Sequence, residues 1–102
     1  MGTRLELQTE FEELLGSRNV YFQAPPSLLM NYPCIRYSGG GVDTKRANDH
    51  LYVYTNRYEG VIIDPDPDTE IPVNILQHFQ MCHLESPYVA DNLYHFPFTL
   101  YY

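Results

Sequence analysis

Leu7, Phe11, Leu14 and Leu15 recur at i, i+4, i+7 and i+8, which places them on one face of a helix, and Thr3 with Glu6 has the spacing of a capping box at its start. Gly16 ends that helix, and Glu6, Glu10, Glu12 and Glu13 on its other side read as a solvated face. The period then changes from 3.6 to two. Asn19 to Gln23 predicts a short strand with Val20 and Phe22 on one face and Tyr21 on the other, halted where Pro25-Pro26 removes two amide donors. Tyr32 to Tyr37 predicts a second strand, with Pro33 near its start and an end at Ser38.

Gly39-Gly40-Gly41 then opens a polar stretch through Asp43, Lys45, Arg46, Asn48 and Asp49. Three successive glycines predict a loop that is mobile or is ordered by a partner. Leu51 to Tyr54 and Tyr58 to Ile63 are strand-like, joined by Thr55-Asn56-Arg57 as continuous strand or as a bulge. Asp66, Asp68 and Glu70 collect just before Ile71, Ile75, Leu76 and Phe79, a short amphipathic helix with acids at its positive end. Met81 to Leu84 and Tyr88 to Tyr102 predict a final hairpin in which Tyr94, Phe96, Phe98, Leu100 and Tyr102 share a face. Pro97 marks that strand as an edge, or its register as broken. The order implies one α+β domain over residues 1–102: a mostly antiparallel sheet with an N-terminal helix and a second short helix packed on one face.

Bulk composition changes this picture in one respect. A chain of 102 residues buries only about 60 to 65% of its unfolded surface, so its core is thin. Its ten tyrosines, with no tryptophan, exceed what such a core can hide, and tyrosine is favoured at protein interfaces. Partner surfaces follow. Thirteen acidic against six basic residues give a net charge of −7, which opposes binding to a phosphate backbone yet suits the wall of a channel that must not hold a passing polyanion. No apolar run reaches the length of a membrane span, and Met1-Gly2-Thr3-Arg4 lacks the apolar core of a signal peptide, so a cytosolic protein is expected.

Reactive constellations are weak. Cys34 and Cys82 form neither a CxxC pair nor a disulfide frame, and reduced thiols are expected. Asp64, Asp66 and Asp68 alternate like the opening of a calcium loop, but the sixth position is Thr69, the twelfth is Ile75, and Pro65 and Pro67 stiffen the segment. A rigid turn with helix capping explains the same residues. His50, His78, His83 and His95 show no HxxxH or HExxH spacing, and Cys82 and His83, adjacent on a strand, point to opposite faces. The glycine run is not followed by GK[ST] and a helix, so it is no phosphate loop. The aromatic stripe near the C-terminus lacks the cationic groove that base stacking needs, and core or subunit interface is the better reading. No cofactor, metal or catalytic group is called for.

Tyr32-Pro33-Cys34-Ile35-Arg36-Tyr37, Arg57-Tyr58-Glu59 with Asp64-Pro65-Asp66-Pro67-Asp68, and Ala90 to His95 through Phe98 to Tyr102 together resemble the tail terminator or tail completion proteins encoded between the head and tail genes of long-tailed bacteriophages. The likeness runs over nearly the whole chain, with Pro97 the departure. The resemblance implies a non-enzymatic virion neck protein: a homo-oligomeric ring of six copies, assembled in the host cytoplasm, that caps the head-proximal end of the tail tube, docks the head connector or stopper, and lets phage DNA pass without specific binding. A head-completion or connector-joining protein of the same neck, and a small acidic adaptor or inhibitor of a host protein, are the alternatives. Gly39, Gly40, Gly41, Asp43, Lys45, Arg46, Asp49 and Arg57 are the expected contacts between subunits or with the tube.

Overall fold

In a computed structural model the backbone is described for residues 3–25, 29–47 and 50–102, with side chains described outside 40–55. Helix α1 spans Arg4–Leu15. The Thr3 hydroxyl accepts from the Glu6 amide at 3.2 Å, and Gly16 closes the helix in the left-handed region at φ +80°, its amide donating to the Glu12 carbonyl at 2.9 Å. Strands β1 (Val20–Phe22), β2 (Cys34–Ala47) and β3 (His50–Asp64) follow, then helix α2 (Ile71–His78) and strands β4 (Cys82–Leu84), β5 (Tyr88–Ala90) and β6 (Leu93–Tyr101).

The six strands form one sheet in the order β1-β2-β3-β6-β4, with β5 also on β6. Only β1 and β2 run parallel. This is the α+β arrangement the periodicities predict. One face of the sheet, carrying Ile35, Tyr37, Tyr58, Ile62, Phe98 and Leu100, packs against Leu7 and Phe11 of α1 and Ile75 and Phe79 at α2. Phe11 is the hub, meeting the rings of Tyr37, Phe79 and Phe98 edge-on at centroid distances of 5.1, 5.6 and 5.8 Å. Gln8 stitches the same helix to the sheet: it accepts from the Tyr37 hydroxyl at 2.6 Å and donates to the Val20 carbonyl at 3.1 Å.

Three local expectations are corrected. The final segment is not a plain hairpin, because β4 and β5 pair end to end along the outer edge of β6 while β3 pairs its inner edge. Pro97 therefore lies in an interior strand, and its register against β3 runs unbroken from Arg57–Tyr101 to Asp64–Tyr94. The proline is tolerated because its carbonyl points to the β4 side, where it accepts from the Glu85 amide at 2.9 Å; its missing N–H falls there too, at the gap between Leu84 and Tyr88. Asp64, Asp66 and Asp68 form the expected rigid turn before α2, in which Asp64 Oδ1 accepts from the Asp66 amide at 2.8 Å and Asp66 Oδ1 from the Asp68 amide at 2.9 Å. The expected capping is what differs: Glu70 stands at the N-cap of α2 with no side-chain cap bond. The turn between β5 and β6 uses Asp91 and Asn92 at φ 54° and 63°, the two left-handed positions that match strand twist in a two-residue hairpin.

Gly60 faces the helices at the centre of β3, where a Cβ would stand 2.4 Å from Cζ of Phe98. Phe98 cannot retreat, being 1% exposed and against Phe11. Gly60→Ala is accordingly expected to lower unfolding free energy by about 1 to 3 kcal/mol through overpacking, seen as a lower urea midpoint with an unchanged slope.

Candidate functional site

Strand β1 pairs β2 only over Ile35 to Tyr37, and β6 pairs β3 only from Arg57 inward, joined by a last bonded pair between Asn56 and Tyr102. Beyond those points β2 and β3 continue, pairing with each other from Gly41–Arg57 out to Ala47–His50. The result is a two-stranded arm that leaves the body of the sheet. At about 3.3 Å per residue β2 is some 45 to 50 Å long, in keeping with molecular dimensions of 51 × 25 × 23 Å.

The arm and its root hold Gly39, Gly40, Gly41, Asp43, Lys45, Arg46 and Arg57 of the residues expected to make contacts, and the glycines form something other than the loop expected. Gly39, Gly40 and Gly41 are strand, not the opening of a loop. Gly39 lies opposite Tyr58 and Gly41 opposite Arg57, so Gly40 is an extra residue in the ladder, a bulge. The bulge stands where β1 and β6 let go of the hairpin, and a bulge is the usual device by which a strand bends and twists more strongly. Space does not require a glycine at position 39, where a Cβ would meet nothing within 4 Å. Asp43 pairs with Thr55, Lys45 with Val53 and Arg46 with Leu51, toward the outer end. Arg57 sits at the root between Gly41 and Tyr101. Asp49 lies outside the described residues. Thr55-Asn56-Arg57 is continuous strand, and β2 and β3 are therefore one long hairpin where separate short strands and a loop were expected.

The root of the arm is tied to both helices through a cluster that sequence reading misses. Tyr102 exchanges backbone hydrogen bonds with Asn56, at 3.0 and 3.4 Å, and its hydroxyl donates to Oε2 of Glu10. Oε1 of the same carboxylate is 2.8 Å from Nε2 of His78 on α2. Burial works to raise the Glu10 pKa, but the Tyr102 and His78 hydrogen bonds and the His78 charge outweigh it and hold the carboxyl below its ordinary value. The bond to Glu10, with burial and neighbouring charge, pushes the Tyr102 phenol up to about 12. These groups are 92 and 68 positions from Glu10, with no spacing motif to signal them.

Both thiols are held in their protonated form. Cys34 is fully buried, and desolvation, aided by Asp64 and opposed by Arg36, pushes its thiol up to about 11. Burial raises Cys82 as well. Both stay protonated at neutral pH, whereas the thiolate is the nucleophile and metal ligand. Cys82 packs on the core and His83 beside it is exposed, the opposed directions expected of strand neighbours. Among the described residues no three His, Cys, Asp or Glu side chains converge as a metal set, and no helix is long and apolar enough to cross a membrane. No protein-family model matches the chain, and neither a curated protein nor a solved structure shows significant similarity to it.

The Glu10 node gives a pH test. A carboxyl whose folded pKa is depressed contributes stability above its ordinary value of 4.5, and that contribution is lost as pH falls through the folded value. Tyr102→Phe is expected to cost about 1 kcal/mol at pH 7. In urea unfolding the difference from the wild type shrinks toward zero as pH is lowered from 4.5.

Proposed function

We propose that this protein is a non-enzymatic structural component of the neck of a long-tailed phage, a ring of identical copies that caps the head-proximal end of the tail tube and docks the head connector. The observation that carries this reading is the arm. A hairpin of two strands in water is marginal, and strands whose N–H and C=O groups face outward are templates for pairing with another chain. A small domain that extends such an element well beyond its own core is organised for assembly. The sequence resemblance to tail terminators supports the same conclusion, and Gly41, Asp43, Lys45 and Arg46 of the expected contact residues lie along that arm.

Capping then works by surface complementarity: one ring face matches the tube end, and the other does not continue the lattice, so no reactive group is required. The charge of −7 fits a lumen that passes DNA without retaining it.

Excising the arm tests the reading. Replacing residues 41–56 by an Asn-Gly turn is expected to leave a folded monomer, with the far-ultraviolet spectrum of the body, that no longer assembles or stops tail growth. Tails from phage carrying this excision should be overlong in electron micrographs. Tails of normal length without heads would assign the protein to joining instead of termination, and wild-type particles from the excised gene would refute both.

A further inference from the structure

We draw no further inference here: the strongest candidate, the apolar groove beside β5 lined by Pro67, Pro87, Tyr88, Val89, Tyr94 and Phe96, carries nothing because nothing among the described residues shows what covers it.

Discussion

Helices of about 18 and 12 Å cannot cover strands about 45 to 50 Å long, and the rest of this architecture follows from that shortfall. Helix α1 has twelve residues and α2 eight, while β2 and β3 have fourteen and fifteen. The apolar side chains that the helices supply, Leu7, Phe11 and Ile75, with Phe79 at the end of α2, meet the sheet from Ile35 to Tyr37 and from Tyr58 to Ile62. Past those rows neither β1 nor β6 pairs with the hairpin. The arm is what remains when the described core of a small chain gathers at one end of a long hairpin.

Within the covered half, packing leaves little room for adjustment. Phe11 touches three rings, Phe98 lies over the bare backbone of Gly60, and the helices are held to the sheet by Gln8 and by the Glu10 carboxylate. The Glu10 node stands beside the last bonded pair before the arm, Asn56 with Tyr102. Its placement explains how an unsupported hairpin keeps a defined departure point: Tyr102 is anchored by its hydroxyl to α1 and by its main chain to β3, and His78 braces the same carboxylate from α2. Rigid root and open edges are separate requirements, and different residues meet them.

Most of the body was legible in the order of residues. The capping box at Thr3, the stop at Gly16, the alternation in β1 and the apolar spacing of α2 are local signals, and the elements appear where those signals stand. What was not legible depends on partners far away in the chain. Gly39-Gly40-Gly41 reads as a loop because glycine lacks intrinsic strand preference, yet a cross-strand ladder to residues 57 and 58 holds it extended and uses Gly40 as a bulge. Pro97 reads as an edge signal, and it sits inside the sheet only because β4 ends and β5 begins opposite its missing donor. The glycine run was read in the wrong local conformation, and the expected contact residues that are described fall on two strands, β2 and β3; the Glu10 cluster and the β5 groove are products of the tertiary fold and left no trace in spacing.

The sheet treats its edges unequally, and that inequality bears on how such a molecule associates. At the body the outer strands are short: β1, β4 and β5 each have three residues, a common means of keeping an edge from recruiting stray strands. The long ladder is the arm, where β2 and β3 run on beyond every other strand. Random edge-to-edge aggregation would need a long edge to meet another long edge. A short edge offers only a few main-chain bonds, too few to hold a foreign strand without side-chain contacts as well. The body therefore keeps its open edges short, and the long open edges are confined to the arm.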